Sequence, residues 1–294
     1  MKRLLLTGAS GLLGWNVCRL KKDRWEIHGV AHRHPIAIDG VRGLVVDLTD
    51  RAQTADMFRR LKPRAVIHAA AATNVNWCQE NRSESYGINV EAPCHIAALC
   101  AASAIPCLFI SSDMVFDGLS PPYGERDPVS PVNVYGEQKA RAEEMVAAEY
   151  PSAVICRLPL MFGEPGPFSS GFVRPMLEAM RSGRELPLFT DEIRTPVSAE
   201  SAVEGIFLAL RQTGGILHLG GRERVSRYAF GLLLARLAGF GEAGLRACRQ
   251  RDVEMPAPRP RDVSLDSTRA FSLGYSPGRI EDELRRLLAS SPSR

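Results

Sequence analysis

Tyr135 and Lys139 stand four residues apart in VNVYGEQKA, residues 132 to 140, inside a stretch of helical character. Residues i and i+4 share one face of a helix, so a phenol and an ammonium point the same way. A free tyrosine titrates near pH ~10, too high for ready proton exchange at neutrality. A neighbouring cation favours the phenolate and lowers that value, which moves Tyr135 toward general acid–base work. The same spacing is common on solvent-facing helices, so the pair acquires meaning only from its company. Ser111 and Ser112 close the apolar run PCLFISS and offer hydroxyls to polarise a carbonyl oxygen.

A second chemical feature is glycine-rich. LLLTGASGLLGWNV sets Gly8, Gly11 and Gly14 between a first apolar run and a first helix. One glycine permits a tight turn, one brings backbone close to a pyrophosphate, and one lets helix and strand pack closely. The N–H groups and positive dipole end of the following helix attract phosphate. The spacing is GxxGxxG, and its place after a strand at the head of a βαβ series gives it weight. The second strand ends in GVAHRHP, where an acidic residue would hold a ribose 2′-OH. Arg33 stands there and suits a 2′-phosphate. NADP is the expected cofactor, with NAD the alternative, and Asp47 ends the next strand beside adenine.

These groups need a scaffold. The runs KRLLLT, WEIHGVA, GLVVD, AVIHAA, PCLFIS and AVICRL read as strands buried on both faces. Helical patterns lie between them: LLGWNVCRLKK, AQTADMFRRLK, one long helix from Ser83 to Ala104, and Tyr135 to Glu149. Strands alternating with helices of this length predict a doubly wound parallel α/β sheet of Rossmann type. After Arg157 the texture turns to Pro, Gly and polar residues, which predicts a smaller C-terminal substrate-binding lobe. Residues 1–160 form the dinucleotide-binding domain, with 199–220 returning to it through AESAVEGIFLALRQ and GILHLGG. Residues 161–198 and 221–294 form the lobe, with helices at Arg227 to Ala238 and Arg279 to Ala289.

Composition agrees with an ordinary enzyme. A formal charge of +4 spread over 294 residues does not point to nucleic acid. Seven cysteines without a CxxC pair suggest buried thiols, and no metal site is expected. His28, His68 and His218 sit in apolar runs as core histidines without metal-ligand spacing. No segment reaches the ~20 apolar residues that span a bilayer, and MKRLLLTGASGLLGW is not a signal peptide. A cytoplasmic location is the expectation.

TGASGLLG, HAAAA, SSDMVFDG, SPVNVYGEQKA and CRLPLMFG occur in the order and spacing of the extended short-chain dehydrogenase/reductase superfamily. SSDMVFDG, SPVNVYGEQKA and RPRDVSLDSTRA resemble more narrowly its dTDP-4-dehydrorhamnose reductase-like, sugar-nucleotide-binding branch. The resemblance implies an NADPH-dependent reductase of a keto group on a nucleotide-activated deoxysugar. By position, Tyr135 is the acid that protonates the carbonyl oxygen, Lys139 holds the nicotinamide ribose and tunes Tyr135, and Ser112 bonds the reacting carbonyl beside Ser111. Gly8, Ser10, Gly11, Leu12, Leu13 and Gly14 match the pyrophosphate turn, with Arg33 at the 2′-phosphate. Asp47 and Leu48 flank adenine, Ala69, Ala70 and Ala71 line the cofactor, and Arg157, Leu158 and Pro159 border the nicotinamide.

The substrate side is read from Val75, Asn76, Ser112, Met114, Tyr135, Met161 and Arg194. Met114 replaces a family tyrosine, and Leu160 and Met161 stand where relatives carry an aromatic, so the sugar contacts differ. Thr73 and Asn74 face sugar or satisfy their own loop; Asn89 bridges backbone, and Asn133 starts the catalytic helix. Arg194 is the candidate grip on a diphosphate, with Arg259 and Arg261 a second anchor. Two alternatives stay open. One is an NAD-dependent nucleotide-sugar epimerase or dehydratase using Asp113. The other is a non-catalytic NADP-binding regulatory subunit like the beta subunit of methionine adenosyltransferase. Relatives also pair through helices, so a homodimer is an option.

Overall fold

A computed structural model describes residues 1–290 other than Pro35, Ser170 and Ala243. The end of the expected lobe, residues 291–294, lies outside the described residues. Strands β1 (Lys2–Thr7), β2 (Trp25–Ala31) and β3 (Val41–Val45) alternate with helices α1 (Leu12–Lys21) and α2 (Arg51–Leu61), and β4 (Ala65–His68) follows. Helices α3 (Val75–Glu80), α4 (Arg82–Tyr86) and α5 (Ala92–Ser103) lead to β5 (Cys107–Ser112), α6 (Val134–Glu149) and β6 (Val154–Leu158). Later come β7 (Met161–Phe162), α7 (Val173–Arg181), β8 (Leu186–Phe189), β9 (Ile193–Arg194), β10 (Val197–Ser198), α8 (Ala199–Ala209) and β11 (Gly215–His218). The chain ends with β12 (Val225–Ser226), α9 (Arg227–Leu237), β13 (Leu245–Cys248), α10 (Thr268–Ser272) and α11 (Ile280–Ser290).

Seven strands form one parallel sheet in the order β11-β6-β5-β4-β1-β2-β3. The α/β doubly wound expectation holds, and GILHLGG does return to the sheet, with Ile216 opposite Ile155. Strand alternation fills both faces: Leu4 and Leu6 join Val17, Ile27, Ile67 and Val203 on one side. Leu5 joins Val30, Val66, Ile96 and Phe109 on the other. Each fully buried aliphatic side chain contributes about 1.5–3 kcal/mol, so the pattern commits the register. The chain leaves β1 toward β2 on one side and reaches β4 on the other, and a crevice opens at such a switch point. A separate cluster of Phe162, Met176, Leu188, Phe230, Leu234 and Leu284 unites α7, α9 and α11 with β8.

Two expectations are corrected. The helix from Ser83 to Ala104 breaks into α4, a π-helical turn over Gly87–Glu91, and α5. Pro93 lacks an N–H and occupies the first turn of α5, so the ladder shifts and Ala92 N–H bonds Gly87 O. The third strand ends two residues earlier than GLVVD predicts, because it is the half-exposed sheet edge and Val46 already belongs to the crevice wall.

Candidate active site

The C-terminal ends of β1 to β6 open into one cleft of about 1370 Å³. That exceeds the about 300–1,000 Å³ of a site for one drug-sized ligand and leaves room for two reactants. At the end of β1, Gly8 adopts φ +69, and a Cβ there would stand 2.6 Å from the Ala69 and Ala70 backbone. A Cβ on Gly14 would stand 2.3 Å from Gly8 O, so α1 sits directly against the turn. Thr7 ties the neighbouring strand in: its Oγ1 accepts from Ala69 N at 3.1 Å and Ala70 N at 3.2 Å.

Helices α2, α3, α6, α8 and α9 each begin with a side-chain cap, from Asp50, Asn74, Asn133, Ser198 and Ser226. Helix α1 begins at Gly11 with no side-chain cap and no acidic residue in its first turn. Its open N–H groups and positive end face the cleft, which fits a phosphate. The nicotinamide dinucleotide expected from the sequence therefore suits the residues present. The segment after β7 roofs this half: Asn16 Nδ2 donates to Glu164 O at 2.9 Å, Arg19 pairs with Glu164, and Phe168 stacks on His34 with centroids 4.4 Å apart.

Ser10, Gly11, Leu12, Leu13 and Gly14 line the cleft, as do Asp47, Leu48, Ala69, Ala70 and Ala71. Thr49 N and Oγ1 donate to Asp47 Oδ1 and hold its carboxyl below the usual carboxylate range. Arg33 is exposed on the loop after β2, while its neighbour His32 reaches the wall. Val75, Met114 and Met161 line the far half.

The catalytic candidates meet where β5 abuts α6. Tyr135 and Lys139 are both buried, on the side of α6 that faces the strand. Lys139 Nζ donates to Ile110 O at 2.6 Å and lies 4.1 Å from the centre of the Phe109 ring. Ser111 Oγ donates to Glu143 Oε1 at 2.5 Å. The Ser112 hydroxyl acts on the Tyr135 phenol, donates to Asp113 Oδ1 at 3.1 Å and accepts from Met114 N at 3.2 Å. Three successive β5 residues thus engage three α6 residues. Asn133 Oδ1 accepts from Gly136 N at 2.9 Å and starts the helix, while its Nδ2 reaches Pro258 O at 3.0 Å.

The electrostatics differ from the sequence argument. Burial drives the Tyr135 phenol well above its ordinary range, and the Asp113 and Cys78 charges add to it; the Ser112 hydrogen bond opposes them. Burial lowers Lys139 to about 7, against the pull of Glu143. The pair does not give a low phenol value by itself, because desolvation is the largest effect on Tyr135 and the lowering comes from Ser112. Burial also lifts Asp113 to about 6, despite Arg194 3.4 Å away.

Two expected contacts, Arg157 and Asn76, are placed elsewhere, and Arg194 lines the cleft with its charge already paired. Arg157 lies on the α6 side of the sheet, because side chains alternate along β6 and it is Leu158 that reaches the cleft. Its Nη2 meets Glu143 Oε2 at 2.6 Å. Asn76 accepts from Arg259 Nη2 at 2.8 Å and so orients that arginine instead of lining the wall. Arg194 does line the cleft, yet its guanidinium is buried against Asp113, Ile193 O and Met114 Sδ. Arg227 and Glu192 went unread in the sequence, 3.2 Å apart in the far wall. Their only signal is distant in the chain, since β9 and β12 must pair to bring them together.

Asn89 proves to be a backbone bridge, accepting from Ala72 N at 2.8 Å. His68 and His218 are buried, and burial pushes them down to about 3 and about 4. All seven cysteines are free, and no acidic, His or Cys cluster among the described residues suits a metal. No helix among the described residues is long and apolar enough to cross a membrane.

Comparison with known proteins agrees with this architecture. The chain is 32% identical over 292 residues to “Probable low-salt glycan biosynthesis reductase Agl14” of Haloferax volcanii, covering 97% of each. It is 26% identical over 288 residues to methionine adenosyltransferase 2 subunit beta of Danio rerio, covering 94% of this chain and 86% of that one. Its fold superposes with a TM-score of 0.88 on dTDP-4-dehydrorhamnose reductase from Bacillus anthracis in complex with NADP, at 22% identity, covering 99% of this chain and 100% of that one. The model of the RmlD substrate binding domain family matches residues 1–291, so this chain belongs to that family, within the extended short-chain dehydrogenase/reductases.

Proposed function

We propose that the protein is an NADPH-dependent reductase of a keto group on a nucleotide-activated deoxysugar, of the dTDP-4-dehydrorhamnose reductase kind. The observation that carries this reading is the meeting of Tyr135, Ser112 and Lys139 at the tip of β5, inside the cleft that holds the uncapped start of α1. The dinucleotide supplies a hydride when bound, held by the Gly8–Gly14 turn, with Arg33 at its 2′-phosphate. Tyr135 gives its proton to the substrate oxygen as the carbonyl carbon is reduced, and Ser112 orients that oxygen. Water is kept out by the burial of both side chains.

The far wall supports an anionic substrate. Arg194, Arg227 and Arg259 face Glu192 and Asp113, three cations against two acids. Arg194 is spent on Asp113 and Arg227 on Glu192, so Arg259, bonded to the neutral Asn76 Oδ1 and Ala257 O, is the residue for a diphosphate. We place the domain boundary as read from the sequence, residues 1–160 with 199–220 against 161–198 with 221–294.

The test is NADPH oxidation followed at the nicotinamide absorbance with a dTDP-4-keto-6-deoxysugar. Wild type turns over and Tyr135→Phe does not; turnover unaffected by that substitution removes Tyr135 from the chemistry. A second reading, a regulatory NADP-binding subunit, draws support from the methionine adenosyltransferase relative. A wild type that binds NADPH yet is silent across keto sugars would favour it.

A further inference from the structure

Two parts of the cleft wall meet in one buried side chain. Asn133 is 2% exposed and stands two residues before Tyr135. Its Oδ1 accepts from Gly136 N at 2.9 Å and caps α6, while its Nδ2 donates to Pro258 O at 3.0 Å. A cap needs only an oxygen, and serine or aspartate serves there about as well as asparagine. The start of the helix therefore does not account for the amide nitrogen, which bonds a residue 125 positions along the chain.

What that nitrogen holds is the loop of Arg259. In MPAPRPR, residues 255 to 261, the prolines Pro256, Pro258 and Pro260 alternate with other residues. Each proline fixes φ and lacks an N–H, so the loop is stiff and presents carbonyls. Those carbonyls are taken: Ala257 O by Arg259 Nη1 at 3.1 Å, Pro258 O by Asn133, and Pro260 O by Arg194 Nη1 at 3.4 Å. A bond at Pro258 thus sets the main chain of the next residue, Arg259. The Arg259 side chain lines the same cleft as Tyr135, with its Nη2 on Asn76 Oδ1 at 2.8 Å.

We propose that Asn133 is a positioning residue for the substrate: one amide fixes both the start of α6, which carries Tyr135, and the loop that carries Arg259. It so sets the spacing between the proton donor at the reacting end and the grip on the diphosphate. A nucleotide-activated sugar is held at both ends, and an error in that spacing is felt as lost binding and a misplaced carbonyl. The inference rests on reading Arg259 as the diphosphate residue, and its test is a binding measurement that needs no turnover. Calorimetric titration with dTDP, UDP and GDP, with NADP⁺ in excess to fill the glycine-turn half, gives the Kd of each diphosphate.

Asn133→Ser keeps the cap and drops the amide. It is expected to raise the Kd of whichever diphosphate binds wild type about 3–10-fold and to leave NADP⁺ affinity in place. Combined with Arg259→Gln it should add nothing further, since it acts through that side chain. Should Asn133→Ser fail to fold, Asn133→Asp retains a cap, sets its second oxygen against Pro258 O, and is expected to show the same rise. A Kd unchanged in whichever variant folds, an equal loss of NADP⁺ affinity, or a full loss added on top of Arg259→Gln overturns the proposal. Diphosphate binding unaffected by Arg259→Gln alone, or absent from wild type, overturns the reading of the far wall and the role of Asn133 with it, so the two failures are told apart.

Discussion

Lys139 Nζ donates to the main-chain oxygen of Ile110 at 2.6 Å, mooring α6 to the strand whose tip carries Ser112. The bond sets the amine two residues before Ser112 along β5 and one turn after Tyr135 along α6. A phenol so buried gives up its proton only to a base formed in place, such as a carbonyl oxygen taking on charge. Tyr135→Phe is therefore expected to reduce kcat about 10²–10⁴-fold, with NADPH affinity nearly unchanged, by steady-state kinetics and equilibrium binding.

Burial brings Lys139 to about 7 in the cofactor-free chain. Below that pH the amine is an ammonium and attracts an anionic dinucleotide; above it the attraction is lost. The Kd for NADPH is expected to rise several-fold from about pH 6.5 to about 8.5. Lys139→Met should bind more weakly at the lower pH and show a flat profile, by fluorescence titration of the nicotinamide.

Arg33→Ala tests the assignment of the 2′-phosphate. Hydrogen bonds to a charged group contribute about 1.5–3 kcal/mol, or about 10–100-fold in Kd. NADPH binding should weaken by that factor while NADH binding stays put. Equal losses for both nucleotides would place Arg33 away from the phosphate and pass the role to His32, which already lines the cleft.

Gly14→Ala tests the packing of α1 on the glycine turn. Its methyl would stand 2.3 Å from Gly8 O, and backbone on both sides must move. Overpacking of this kind costs about 1–3 kcal/mol. A lower urea midpoint is expected together with weaker NADPH binding, since the displaced helix carries the phosphate N–H groups.

Acid stability follows from two histidines. His68 is pushed down to about 3 and His218 to about 4, against an ordinary 6.5. As pH falls below 6.5 the unfolded chain takes up these protons and the folded chain does not, so stability is lost. Each group contributes about 1.4 kcal/mol per pH unit within its window. Asp113, raised to about 6, acts in the opposite sense between its ordinary value of 3.8 and that pH. The net expectation is a melting temperature that declines on acidification from pH 6.5, with a shallower slope in His68→Gln.

Much of the scaffold was legible from local pattern. β1 and β2 span the residues read as strands, and α1 and α2 match the expected helices to within a residue. The periodicity of apolar side chains is a local property, and buried parallel strands write it plainly. YxxxK, the strand-end serines and the glycine turn were equally readable, because each is a short motif on one element.

What the amino-acid order settled by itself was which groups exist and on which elements they ride. The tertiary structure decided their environment. Desolvation by surrounding chain, not the neighbouring ammonium, governs Tyr135, and no spacing reports how deeply a phenol is buried. Alternation along β6 turned Arg157 away from the cleft and into a pair with Glu143. Arg194 was taken up by Asp113, and Arg227 met Glu192 only because two short strands far apart in the chain are paired. Burial and long-range pairing are set by the whole packed chain, and so is the charge a side chain keeps.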